Sequence, residues 1–241
     1  MGFTKPIEQY LFSDLLIKIQ VFMYLKDIIR EVWNMKLYIL RHGETDWNKN
    51  KLLQGKSDVP LNDKGRELAK ASAEGMKDIP FDLVFTSPLE RARETARLVL
   101  GDRNIPFITD SRIEEIGFGE MEGKPWRKSE DFPGDENIYQ FFHHPDQYIP
   151  PKGGESLTDL AKRCADFIQD ICNRPELEEK TILIATHGAA TRGLLNSLRD
   201  WKLEDFWGGR VAPNCGVAIV ESHQGQAKLL AENVTYYEKQ R

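Results

Sequence analysis

Two short stretches of this chain carry side chains that could do chemistry together. Arg41-His42-Gly43-Glu44 ends the apolar run Lys36–Leu40, and Thr186-His187-Gly188 ends the run Thr181–Ala185. An imidazole at the end of a buried strand, followed by glycine, stands where open α/β sheets present ligand-binding groups. Either stretch alone reads most simply as a hydrogen-bonded loop histidine. Two matched units on neighbouring parallel strands would bring both imidazoles into one crevice. A third strand end, Thr86-Ser87-Pro88-Leu89-Glu90-Arg91, leads into a helix whose first turn holds Arg91. Pointing inward, Arg41 and Arg91 would offer two planar donor forks suited to the oxygens of a phosphoryl group. The helix that starts after His187 would add backbone N–H groups and a positive dipole end. Such an anion site requires no metal and no cofactor.

The elements that must position these groups follow from periodicity. Apolar runs predict strands at Lys36–Leu40, Leu83–Phe85, Ile105–Ile108, Thr181–Ala185, Gly216–Val220 and Ala227–Leu230. Helices are predicted over Asp63–Met76, capped by Asn62 or Asp63, over Arg91–Leu100 with Ser87 as cap, over Ser156–Cys172 and over Ala189–Leu198. Alternating strands and helices imply a three-layer α/β/α sandwich around a mostly parallel sheet of about six strands. Residues 124–153 are rich in aromatic residues, proline and charge with little periodicity, which predicts a lid or substrate-binding insertion.

Residues 1–34 read as an amphipathic helical extension, with Leu15, Ile19, Phe22, Leu25, Ile28 and Ile29 at helical spacing, ahead of one domain over 35–241. The stretch lacks the basic start and small-residue cleavage site of a signal peptide. With 241 residues, 33 basic against 38 acidic groups and a net charge of −5, the chain suits one α/β domain and argues against nucleic acid or an anionic membrane as partner. Cys164, Cys172 and Cys215 are scattered without a CxxC, so no disulfide framework or zinc ribbon is expected and a cytoplasmic location fits. A homodimer through the N-terminal helix is one expectation.

Taken in order from Met35, the motifs LYILRHGETDWN, LQGKSDVPLNDKG, TSPLERARETA, IEEIGFGEMEG, GGES and ATHG resemble the histidine phosphatase superfamily, the branch of phosphoglycerate mutases and small-molecule phosphatases. The resemblance implies that His42 is a nucleophile that becomes phosphorylated and that Arg41, Arg91, His187 and Asn48 contact the phosphoryl group. It implies that Glu115 is the proton donor, in preference to its neighbour Glu114. Gln54, Gly55 and Gly188 would border the substrate. An imidazole nucleophile splits one displacement into two easier ones, and removing one donor to the equatorial oxygens should cost about 3 kcal/mol of barrier. The second nitrogen of His42 needs an acceptor to fix its tautomer, and a nearby backbone carbonyl is expected.

Several residues are set aside. His143-His144 before Pro145 has no carboxylate at ligand spacing and reads as a solvent-facing loop. Trp126, Phe141, Phe142 and Tyr148 read as lid packing. Asn214-Cys215-Gly216 stands on the crevice side, without a histidine to activate the thiol. The insertion holds Lys124, Arg127, Lys128 and Lys152 against Glu130, Asp131, Asp135, Glu136 and Asp146, so it is net acidic. The mutases of the family resemble one another in a longer, more basic insertion that retains a bisphosphorylated intermediate. The expectation is therefore a phosphatase acting on a small phosphorylated metabolite. Its alternatives are a 2,3-bisphosphoglycerate-dependent mutase, an α-ribazole-phosphatase-like enzyme, or a silent phosphate-binding module.

Overall fold

The computed structural model describes residues 35–128, 133–208 and 210–237. The proposed N-terminal helix lies outside the described residues. Six strands form one sheet: β1 (Met35–Arg41), β2 (Leu83–Thr86), β3 (Phe107–Thr109), β4 (Thr181–Thr186), β5 (Gly216–His223) and β6 (Gln226–Thr235). Their order is β3-β2-β4-β1-β5-β6. The β1–β4, β2–β4 and β2–β3 pairs are parallel, whereas β5 and β6 join antiparallel.

Among the described residues, six α-helices accompany the sheet: α1 (Asp46–Lys49), α2 (Asp63–Gly75), α3 (Glu90–Leu100), α4 (Glu136–His143), α5 (Leu157–Cys172) and α6 (Gly188–Asn196). Two apolar clusters show how they divide. Ala69 of α2 and Ala92, Ala96 and Val99 of α3 pack with Leu40, Val84, Leu183 and Val217 on one face of the sheet. Phe141 of α4, Leu160, Cys164 and Phe167 of α5 and Leu194 of α6 pack with Leu37, Ile39, Phe85, Ile182 and Ile184 on the other. Successive strand residues face opposite sides, so central strands apolar on both faces must be covered twice. That is the expected three-layer α/β/α sandwich.

Local expectations shift where chain chemistry intervenes. The strand expected at Ile105–Ile108 begins instead at Phe107, after Pro106, which has no N–H to give to a ladder. The strand expected at Ala227–Leu230 extends to Thr235, because β6 is a partly exposed edge and needs no apolar run. Ser87 is not the helix cap. The N-cap of α3 is Leu89, while Ser87 Oγ accepts the Leu89 N–H at 3.2 Å and Asp58 accepts the Glu90 N–H at 2.8 Å. Inside the insertion, the unpredicted α4 is capped by Asp135, whose carboxylate accepts the Ile138 N–H at 3.0 Å. It buries Ile138 and Phe141, as an amphipathic helix too short to show a period in sequence can do. All three cysteines are free and buried. Among the described residues, no helix is long and apolar enough to cross a membrane.

Candidate active site

Sheet register brings the two histidines together. Because β1 and β4 are adjacent and parallel, with Arg41 opposite Thr186, the next residue on each strand is a histidine. The His42 N–H donates to Thr186 O at 3.0 Å and extends the ladder one step past the strand end. The imidazole centroids lie 5.2 Å apart. Gly43 then turns the chain under α2, where a Cβ would stand 2.7 Å from Gly65 O, so only glycine fits this approach.

His42 Nδ1 lies 2.7 Å from Gly43 O. A carbonyl can only accept, so Nδ1 carries the hydrogen and Nε2 keeps its lone pair in the neutral ring, as the tautomer expectation required. Burial, then the charges of Arg91 and Arg41, hold the pKa of His42 well below its ordinary value; the Gly43 bond opposes them more weakly. His187 is likewise pushed well down, by burial first and then by Arg91 and His42. Its Nε2 bonds Ser87 Oγ at 2.8 Å, and its Nδ1 is buried without a partner. His187 stands behind His42 and does not reach the wall of the cavity described below.

Arg91 is wholly buried. It donates to Gly55 O and Ser57 O, both at 2.8 Å, so the loop carrying Gln54 and Gly55 is held by the guanidinium. Burial pushes its pKa down to about 10, against the attraction of Glu115, Asp58 and Glu122. Gly55 has φ +55°, and a Cβ there would collide with the Glu122 carboxylate, which itself accepts the Lys56, Ser57 and Phe118 N–H groups. Arg41 donates from Nη1 to Ala212 O, and its pKa is lowered by burial, opposed by Glu115. The Nε atoms of both arginines are buried without a partner.

Glu115 does something the sequence did not indicate. Its Oε2 accepts the N–H groups of Gly188 and Ala189 at 2.9 and 3.2 Å, and Oε1 accepts those of Ala190 and Ile116, each at 3.0 Å. The N-terminus of α6, expected to offer free amides to an anion, is thus capped by this carboxyl group. Its loop is fixed from behind by Arg163, which donates to the carbonyls of Arg112, Glu114 and Glu115 at 2.8, 2.7 and 3.1 Å and pairs with Glu155. Glu155 belongs to the GGES motif, so that motif supports the loop from outside the cavity.

A cavity of about 1040 Å³ opens above His42. Arg41, His42, Asn48, Gln54, Gly55, Arg91, Glu115 and Gly188 all line it, which brings together every expected site residue except His187. Asn48 closes a capping box with Thr45, and its Oδ1 accepts from Asn214 Nδ2 at 3.2 Å. Asn214 also donates to His42 O at 3.1 Å, so it ties the His42 loop to the crevice side. Three residues were missed. Thr95 Oγ1 accepts the Gly43 N–H at 2.9 Å and donates to Arg91 O at 2.6 Å. Ser87 holds His187, and Glu122 shapes the Gly55 loop. Thr95 was findable, since it lies four residues after Arg91 on the same helix face. No group of His, Cys, Asp and Glu among the described residues is arranged to hold a metal ion. Chemically, an unprotonated imidazole nitrogen facing two guanidinium groups and a carboxyl group can take a phosphoryl group, stabilise its oxygens and exchange a proton with the departing oxygen.

A family model of the histidine phosphatase superfamily (branch 1) matches residues 37–235. The chain is 36% identical over 166 residues to a 2,3-bisphosphoglycerate-dependent phosphoglycerate mutase 2 of Gloeobacter violaceus, an overlap of 67% of this chain and 74% of that protein. It is 32% identical over 160 residues to the uncharacterized phosphatase PhoE of Bacillus subtilis, covering 66% of this chain and 75% of that one. Among solved structures, Bacillus stearothermophilus YhfR aligns with a TM-score of 0.75 at 33% identity, over 84% of this chain and 99% of its own. This chain belongs to the histidine phosphatase superfamily. Its relatives are named both phosphatases and mutases, so phosphoryl chemistry is common ground and the fate of the phosphoryl group is the open choice.

Proposed function

We propose that this protein hydrolyses a small phosphomonoester through a phosphohistidine formed on His42. Nε2 attacks phosphorus in line while the bond to the ester oxygen breaks, and Glu115 supplies the proton that the departing alkoxide takes. Glu115 then removes a proton from water, which attacks the phosphohistidine, releases inorganic phosphate and restores the free imidazole. Arg41 and Arg91 hold the equatorial oxygens throughout, where preorganised donors act most strongly. His187, anchored by Ser87, backs the nucleophile from behind the cavity wall.

The observation that carries this reading is the 2.7 Å contact between His42 Nδ1 and Gly43 O, which leaves Nε2 free to attack. Hydrolysis is favoured over transfer back by the wall of the cavity beyond His42. Arg127 and Lys128 stand there with Asp135 and Glu136, so a bisphosphorylated intermediate finds no net positive clamp to retain it. The test is release of phosphate from p-nitrophenyl phosphate in EDTA, with an acid-labile, base-stable phosphoenzyme trapped in wild type. Both are expected to vanish in His42→Ala; turnover surviving that change overturns the nucleophile assignment. With 3-phosphoglycerate and bisphosphoglycerate, free phosphate rather than 2-phosphoglycerate is expected, and net isomerisation would make the protein a mutase.

A further inference from the structure

We propose that the alcohol half of the substrate carries a flat aromatic ring, which the cavity receives on a wall of aromatic side chains beyond the phosphoryl site. This inference rests on the phosphomonoesterase reading and narrows its substrate class. The cavity, at about 1040 Å³, lies at the top of the range of about 300–1,000 Å³ that encloses drug-sized ligands. A three-carbon phosphate ester would fill little of it. Its outer part is lined by Trp126, Tyr139, Phe142 and Trp207. Phe142 lies against Trp126 at 5.3 Å between centroids and is stacked on Trp207 at 5.8 Å, 23° from parallel. Tyr139, stacked on His143 at 4.1 Å between centroids, is still 49% exposed although both line the cavity, so part of its ring surface is left for a ligand to cover.

The wall is set rather than pliable. Trp207 Nε1 donates to Phe141 O at 2.6 Å, and the buried Phe141 ring meets Phe142 edge-on at 4.8 Å. Arg127 sits 4.1 Å above the Trp126 ring and Asp135 is engaged in capping α4, so each of these two charges already has a local partner. A ring placed against this wall can bury area and take offset or edge contacts. Aromatic faces that meet at low and intermediate angles suit a planar group better than a branched aliphatic one.

The experiment compares naphthylethyl, phenethyl and propyl phosphates, whose alkoxide leaving groups are of similar basicity, so the ratio of kcat/KM reads recognition rather than reactivity. Naphthylethyl phosphate is expected to exceed propyl phosphate by about tenfold or more, and this ratio should fall about fivefold in Trp126→Ala and in the half-exposed Tyr139→Ala. A ratio near one in wild type overturns the ring inference, while phosphate release lost in His42→Ala leaves the hydrolase reading intact. Calorimetric binding of naphthylmethylphosphonate against propylphosphonate needs no turnover. Tighter binding of the former, with no phosphate released from any ester, sinks the hydrolase reading and keeps the ring; equal binding of the two overturns the ring whatever the kinetics show.

Discussion

Acidification should destabilise this protein through its two buried histidines before any carboxylate contributes. His42 and His187 are 2% and 0% exposed, and burial together with the two arginines keeps both rings neutral far below the ordinary histidine pKa. In the unfolded chain each imidazole takes a proton as the pH falls through about 6.5. The unfolded state then binds more protons than the folded one, so stability is full above that pH and declines as the pH drops towards the depressed folded values. Between about pH 7 and pH 5.5, one histidine that stays neutral when folded loses about 1.2 kcal/mol, and the pair about 2.5 kcal/mol. For a domain of this size that corresponds to a fall in Tm of about 5–10 °C. Asp110 and Asp170 are held below the ordinary carboxylate range by arginine, and what they contribute is lost only at more acid pH, outside this window. The assay is urea or thermal unfolding at constant ionic strength across the window, for wild type, His42→Asn and the His42→Asn/His187→Asn pair. The slope should halve in the single variant and nearly vanish in the double one. A flat wild-type profile, or a full slope surviving in the double variant, would refute the claim that these rings are neutral when folded.

Three further outcomes follow from the same geometry. Thr95→Val keeps the volume but strands the buried Gly43 N–H, so it should cost about 1–3 kcal/mol in denaturant unfolding and lower kcat as the Gly43 carbonyl loosens its hold on His42; unchanged values of both would remove Thr95 from the site. Glu115→Gln should slow alkyl esters by about 10²–10⁴, whereas p-nitrophenyl phosphate, whose leaving group needs no proton, should give a fast burst of nitrophenol followed by slow release of phosphate. Equal losses on both without a burst would mean that Glu115 acts only as the cap of α6. Inorganic phosphate at about a hundredfold its Kd should stabilise wild type by about 2.7 kcal/mol in thermal scans, and Arg91→Met should abolish that gain; a retained gain would place the anion elsewhere.

The site was legible to the extent that one local pattern could speak for a distant partner. Two apolar runs of similar length, each closing on His-Gly, can align only if the strands are parallel neighbours, and the Arg41–Thr186 register does align them. Arg91 could be placed because a helix start has a fixed direction. Glu115 could be placed only as a position within a motif. Its contacts depend on Arg163, about fifty residues later, reaching the carbonyls of residues 112, 114 and 115, and no periodicity encodes such a side-chain bond to backbone. For the same reason the aromatic residues of the insertion were read correctly as packing groups but not as cavity wall, since facing inward or outward is decided by α4, which spans only two turns.

The capped helix changes how the pocket must hold an anion. Free amides at the start of α6 would have supplied donors at no cost in side-chain ordering. On the proposed phosphoryl chemistry, with Glu115 occupying them, the work would fall to Arg41 and Arg91, whose Nε atoms are buried and unpartnered among the described residues. Those guanidinium groups are already immobilised by Ala212, Gly55 and Ser57 carbonyls, so little rotamer freedom remains to be lost when phosphate arrives. Glu115 in turn is held at the positive end of a helix and beside Arg41, within the same cavity as His42.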